Sequence, residues 1–193
     1  MKRICIYCAS SPKVDKTYFQ AVEKLAKILV AHDIEVVYGG GAIGLMGQLA
    51  DTIIENDGKI IGVMPHFMND IEWAHKGVKH FIFTETMAQR KEKLIENIDG
   101  LIALPGGSGT LEELFEVISL KRLGLFTKPI LILNTNNYYE PLKLMLDRCV
   151  EENFMAEKHL DIWTFIDEPE QAMEAFKNAA EWDENAIHFA TVR

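Results

Sequence analysis

Short β-branched and apolar runs alternate along this chain with longer segments whose apolar positions recur every three to four residues, the periods of strand and helix. The runs predict strands over Arg3–Cys8, Ile34–Tyr38, Ile60–Met64, His80–Thr84, Gly100–Leu104, Pro129–Leu133 and Ile162–Ile166. The helical periods fall between and after them, over Lys16–Ala31, Gly44–Glu55, Thr86–Asn97, Thr110–Leu123, Tyr139–Glu152 and Glu168–Trp182. Such alternation predicts an α/β fold, a doubly wound parallel sheet with helices on both faces. No repeat, low-complexity stretch or Pro/Gly/Ser linker breaks it, so the 193 residues read as a single domain.

Right-handed crossovers bring the carboxyl ends of parallel strands to one edge, and ligands bind in the crevice outside that edge. The residues that follow the strands are therefore where chemistry is sought: Ala9-Ser10-Ser11, Gly39-Gly40-Gly41, Pro65 onward, Glu85 to Lys91, and Pro105 to Thr110. Gly39-x-Gly41-x-x-Gly44 has the spacing of a dinucleotide fingerprint. The acidic residue that should follow about 20 positions on, to hold a ribose hydroxyl, is missing from Val63-Met64-Pro65-His66. Neither glycine loop contains the Gly-Lys-Ser/Thr of a P-loop. Close helix–strand packing is thus at least part of the work of Gly39–Gly47. Pro105-Gly106-Gly107-Ser108-Gly109-Thr110 carries more glycine than a turn requires. Its glycines admit positive φ and leave N–H groups unshielded where a helix begins, which makes an anion site suited to phosphate.

Charge sharpens that expectation. The formal net charge is −9, so the field of the whole protein repels nucleic acid, and a bound anion has to be met by local groups. The three cysteines are too few for a secreted disulfide scaffold. Cys5 and Cys8 form a C-x-x-C, but on a strand the period of two sends them to opposite faces, as core residues rather than a redox pair. No secretory leader or apolar run of about 18 residues is present, so a cytoplasmic protein without a membrane span is expected.

Thr110-x-x-Glu113 has the spacing of a capping box, which competes on equal terms with a chemical role for Glu113. A carboxylate beside a phosphate cradle is electrostatically awkward unless it has separate work, which favours chemistry. Glu116, one turn on, reads as solvated surface. Arg90 and Lys91 lie in the first two turns of a helix that starts on the ligand edge, where a guanidinium can grip phosphate oxygens as a fork. Glu92 and Lys93 read as a solvated face with intrahelical pairs. The six histidines lack paired metal-ligand spacing. His66 and His75 read as hydrogen-bonded loop residues, and Glu72, in the same loop, as an acceptor for a substrate hydroxyl.

Taken together, Cys8-Ala-Ser-Ser11, Tyr38-Gly-Gly-Gly-Ala-Ile-Gly-Leu-Met-Gly47, Ile61-Gly-Val-Met-Pro65, Met87-Ala-Gln-Arg-Lys91 and Pro105-Gly-Gly-Ser-Gly-Thr-Leu-Glu-Glu113 resemble the LOG (LONELY GUY) family, over residues 2 to 180. The resemblance implies a homodimeric Rossmann-like hydrolase that splits nucleoside 5′-monophosphates, cytokinin riboside monophosphates or AMP, into base and ribose 5-phosphate, with no metal or redox cofactor. It implies Arg90 and Glu113 as the catalytic pair. It also implies substrate contacts from Glu72, Lys91, Gly106, Gly107, Ser108, Gly109, Thr110 and Glu112, with Ser10, Gly40, Gly41 and Ser119 completing the set. On that reading Glu113 orients or deprotonates water, Gly106–Thr110 and Lys91 hold the phosphate, and Arg90 keeps Glu113 ionised. Ala88, Ile71 and Ser119 depart from the His, Arg and Thr that many members carry. The tail after Trp182 runs past the family's usual end and is expected to fray or to dock on a subunit. The rivals are a nucleotide or cofactor carrier on the same fold, and a lysine decarboxylase, which would require a Schiff-base lysine with an acidic partner for the cofactor ring.

Overall fold

A computed structural model describes residues 1–69 and 73–190. Seven strands form one sheet: β1 (Arg3–Tyr7), β2 (Glu35–Tyr38), β3 (Ile60–Pro65), β4 (His80–Thr84), β5 (Gly100–Ala103), β6 (Ile130–Leu133) and β7 (Trp163–Ile166). Their order is β4-β3-β2-β1-β5-β6-β7, and every pairing is parallel. The helices are α1 (Lys16–Ala31), α2 (Gly44–Glu55), α3 (His66–Asn69), α4 (Met87–Ile95), α5 (Ser108–Arg122), α6 (Glu140–Glu151) and α7 (Ala172–Asn178). The chain winds outward from β1 in one direction and from β5 in the other. The junction between β1 and β5 is thus the switch point at which a crevice opens.

Period-two alternation divides the strand residues between two cores. Ile4, Ile6, Cys8, Val36, Tyr38, Ile102 and Leu131 pack with α1, α2 and α7 on one face. Cys5, Tyr7, Val37, Leu101, Ala103 and Ile132 pack with α4, α5 and α6 on the other. Cys5 and Cys8 therefore sit in opposite cores, as their spacing requires, and burial pushes both thiols above their ordinary range.

The C-terminal region departs from expectation. The helix expected over Glu168–Trp182 is a 3-10 turn at Pro169–Gln171 followed by the short α7, and the chain is extended at Ala179. Proline fixes the entry to this segment, and the extended stretch carries the chain from Phe176 in the first core to Trp182 in the second. The described part of the tail does not fray. The Trp182 indole N–H donates to the carbonyl of Lys121 at 2.6 Å, and Arg122 donates through Nε and Nη2 to the carbonyl of Ala190. Gly124 (φ 74°) ends α5 where a Cβ would press on the Glu184 backbone. The tail thus docks on the end of α5, giving the Lys121 carbonyl a second donor beside the Gly124 N–H and presenting the Ala190 carbonyl to Arg122.

This closure buries Lys121, whose side chain is 1% exposed with its ammonium 5.7 Å from the Trp182 ring centre. Burial brings its pKa down to about 8, against a smaller upward pull from Asp161. Below that value the ammonium is charged in both folded and unfolded chains, and its desolvation penalty is fully expressed. As the pH rises from about 8 toward the ordinary lysine value, the folded protein sheds the proton first and gains stability. Lys121→Met is accordingly expected to stabilise the protein at pH 7 by about 1–2 kcal/mol, the lost cation–π contact offsetting part of the gain. Urea unfolding from pH 7 to 10 should show this difference shrinking as the pH rises.

Candidate active site

A cavity of about 540 Å³ opens at the carboxyl ends of β1, β2, β3 and β5, and its walls come from five separate stretches of chain. Ser10 follows β1, Gly39 and Gly41 follow β2, Met64 lies near the end of β3, Arg90 projects from α4, and Gly107, Ser108, Gly109, Thr110 and Glu113 come from α5 and its entry. Of the remaining sites expected from the sequence, Gly40, Gly106, Lys91, Glu112 and Ser119 do not line it, and Glu72 lies, with Ile71, outside the described residues.

The two glycine loops act differently. Gly40 and Gly44 have positive φ (80° and 68°), and a Cβ on Gly44 would lie 2.5 Å from the Ser10 carbonyl carbon. This is the close packing expected of that loop. Gly39 has a further use, because a Cβ there would come within 2.5 Å of an Arg90 guanidinium nitrogen. The second loop needs no positive φ, contrary to expectation: Gly106, Gly107 and Gly109 all lie outside that region. A Cβ on Gly106 would collide with the Thr110 side chain, whereas nothing lies within 4 Å of a Cβ on Gly107 or Gly109. Absence of side chains over the cavity is what the last two supply.

Helix α5 begins at Ser108 with Gly107 as its cap, so Thr110 stands three residues inside and no capping box forms with Glu113. No side chain caps this N-terminus. The N–H groups of Ser108, Gly109 and Thr110 precede the first intrahelical bond, from Leu111 to Gly107 at 3.0 Å, and they meet the cavity at the positive end of the helix dipole. Two residues not foreseen from the sequence steady the loop. Tyr138 and Tyr139 donate their hydroxyls to the carbonyls of Gly106 (2.6 Å) and Leu104 (2.8 Å). Their position after a strand on the ligand edge was the available signal.

Glu113 instead accepts a hydrogen bond from Nη1 of Arg90, whose Nε donates to the carbonyl of Val63 at 3.2 Å. Arg90 is 8% exposed, unusual for arginine, and the guanidinium is fixed by the β3 backbone, the gap at Gly39 and Glu113 together. Arg90 does not hold Glu113 in the ordinary carboxylate range. Burial raises the Glu113 pKa, and the neighbouring guanidinium only partly opposes the rise. A carboxyl group poised to exchange a proton nearer neutrality suits general acid–base chemistry.

Lys91 is committed elsewhere: it bridges Glu112 at 2.6 Å and Glu116 at 3.0 Å, so Glu116 is paired rather than simply solvated. The Ser119 hydroxyl donates to the carbonyl of Phe115 within α5. Lys93 pairs with Glu96 along α4. His75 contacts Asp51 at 3.0 Å and accepts from the Gly77 N–H, as a hydrogen-bonded loop residue, whereas His66 opens the short helix α3 and stacks on Phe83. No lysine is among the described residues lining the cavity, so the pocket does not suit a Schiff-base cofactor.

Fold and site define a Rossmann-like α/β protein with an uncapped helix N-terminus and a buried Arg–Glu pair in the crevice at its switch point. Residues 46–176 match the family described as "Possible lysine decarboxylase". The chain is 39% identical over 155 residues to the Arabidopsis thaliana cytokinin riboside 5′-monophosphate phosphoribohydrolase LOG2, covering 80% of this chain and 73% of that one. It is 37% identical over 183 residues to LOG5 of the same plant, covering 91% and 78%. This protein belongs to the LOG family. A molybdenum cofactor binding protein from Rippkaea orientalis shares the fold, with a TM-score of 0.70 at 18% identity, over 92% of this chain and 96% of that one. No helix among the described residues is long and apolar enough to cross a membrane.

Proposed function

We propose that this protein hydrolyses the N-glycosidic bond of nucleoside 5′-monophosphates, with cytokinin riboside monophosphate or AMP as substrate, releasing free base and ribose 5-phosphate. One observation carries the reading: the buried Arg90–Glu113 pair shares a cavity with the uncapped N-terminus of α5. The relatives' phosphoribohydrolase names accord with it.

The 5′-phosphate accepts hydrogen bonds from the N–H groups of Ser108, Gly109 and Thr110, which fixes the sugar beside Glu113. Breakage of the bond to the base leaves an electron-poor anomeric carbon, which the Glu113 carboxylate stabilises while it takes a proton from the attacking water. The water oxygen bonds to that carbon, and the departing base carries away the bonding pair and takes up a proton from solvent, to which Glu113 returns the one it accepted. Arg90 holds the carboxyl in place. Lys91 joins the phosphate only by exchanging a carboxylate partner for it. A homodimer in the cytoplasm completes the proposal, with exposed apolar residues such as Phe115 and Leu125 available for subunit contact.

Liberation of base from AMP and from adenosine, followed by chromatography, tests this. Adenine and ribose 5-phosphate are expected from the monophosphate and little base from the nucleoside. Tight nucleotide binding without product would instead make the protein a carrier.

A further inference from the structure

Two aromatic side chains line the cavity among the described residues, and only one of them, Tyr7, belongs to a core. Trp73 is 52% exposed and lines the cavity, yet it packs against neither core, whereas Trp163 and Trp182 are buried. A large exposed indole gains little from burial, so its presence at this place asks for a ligand. Its backbone is held from two sides. The Trp73 N–H donates to the carbonyl of Met68 (3.3 Å), and the Trp73 carbonyl accepts from the Ala42 N–H (3.1 Å). The next two residues join the same glycine loop, through the Ala74–Gly41 bridge and the His75 N–H to the Gly40 carbonyl (3.0 Å). The indole therefore stands on backbone stitched to the end of β2.

The order of the sheet makes the cavity two-ended. The donors of α5 and Glu113 follow β5, while the Gly39–Ile43 loop follows β2 and Met64 lies near the end of β3, on the far side of β1. Four of the chain's eight methionines, Met46, Met64, Met68 and Met87, line the cavity. Unbranched thioethers adapt to irregular apolar shapes and contact aromatic rings favourably. A phosphate at the α5 end leaves the base to the end that Trp73 borders.

We infer that Trp73 is the base-recognition residue of this site, an aromatic platform for the purine that also covers an apolar group carried on the purine's exocyclic nitrogen. The inference rests on the hydrolase reading for its orientation of the nucleotide. A planar base loses water from one face on the indole, and an apolar exocyclic group extends the covered area along the methionines. Ribose 5-phosphate, which lacks a base, does not touch this surface.

The test compares wild type, Trp73→Ala and Trp73→Phe in three ways: KM for AMP, KM for an AMP whose exocyclic nitrogen bears a branched five-carbon chain, and competitive inhibition by ribose 5-phosphate. Trp73→Ala is expected to raise KM about 10-fold for AMP and further for the substituted nucleotide, and Phe to recover most of the loss. Inhibition by ribose 5-phosphate should hold within about twofold. Tryptophan fluorescence of the wild type should be quenched by AMP and not by ribose 5-phosphate, and Trp73→Phe should lose that quenching. Equal losses for all three ligands, or unchanged KM values in Trp73→Ala, would overturn the inference while leaving the hydrolase reading intact. Failure of the wild type to release base from either nucleotide would instead defeat the hydrolase reading, and AMP quenching that persists in Trp73→Phe would then defeat the platform as well.

Discussion

Glu113→Gln should lower base release from AMP by about 10³-fold while leaving a folded protein that still binds nucleotide. Glutamine preserves the side chain's size and can still accept the Arg90 hydrogen bond, so the loss isolates the charge and the proton. The same substitution has a thermodynamic signature. Burial raises the Glu113 pKa, so the folded protein holds this proton more tightly than the unfolded chain. Stability contributed by Glu113 is therefore present at low pH and declines as the pH rises from the ordinary glutamate range through the folded value. The variant should lack that decline. Single-turnover assays with quantitation of adenine, paired with urea unfolding across acidic pH, check both. Turnover within tenfold of wild type would remove Glu113 from the chemistry.

Arg90→Ala is expected to cost about 3 kcal/mol of stability, because it strips a mostly buried carboxylate of its counter-charge and leaves the Val63 carbonyl without its donor. With Arg90 gone, burial acts on Glu113 against only the smaller downward pull of Lys91, and its pKa rises further. The acid limb of the rate profile should move to higher pH, and base release at neutral pH should fall at least 10²-fold. Arg90→Lys should not restore the profile, since an ammonium cannot bond the Val63 carbonyl and Glu113 with the fixed geometry of a guanidinium. An acid limb that stays in place in Arg90→Ala would show that Glu113 is not the group titrating.

The seven strands, the parallel sheet and the first five long helices were legible because each is written locally, in period-two or period-3.6 patterns. The ligand edge followed from the handedness of crossovers, and the glycine loop at Gly106–Thr110 from composition at a strand end. The capping box at Thr110–Glu113 was misleading for an equally local reason: the helix starts two residues earlier, and a shift of that size changes which side chain caps it. The C-terminal segment misled because its apolar residues serve two cores on opposite faces, a division no helical period encodes.

The sequence by itself determined the class of fold, the edge that carries the chemistry and the residue types gathered there. Tertiary structure alone decided that Glu113 faces Arg90, that Lys91 is bound to Glu112 and Glu116, that Gly39 clears space for a guanidinium, and that Trp73 borders the cavity. The physical reason is range. Strand and helix periods are set by neighbours along the chain, whereas a carboxyl's proton affinity depends on burial and on a charge 23 residues away, which only packing brings together.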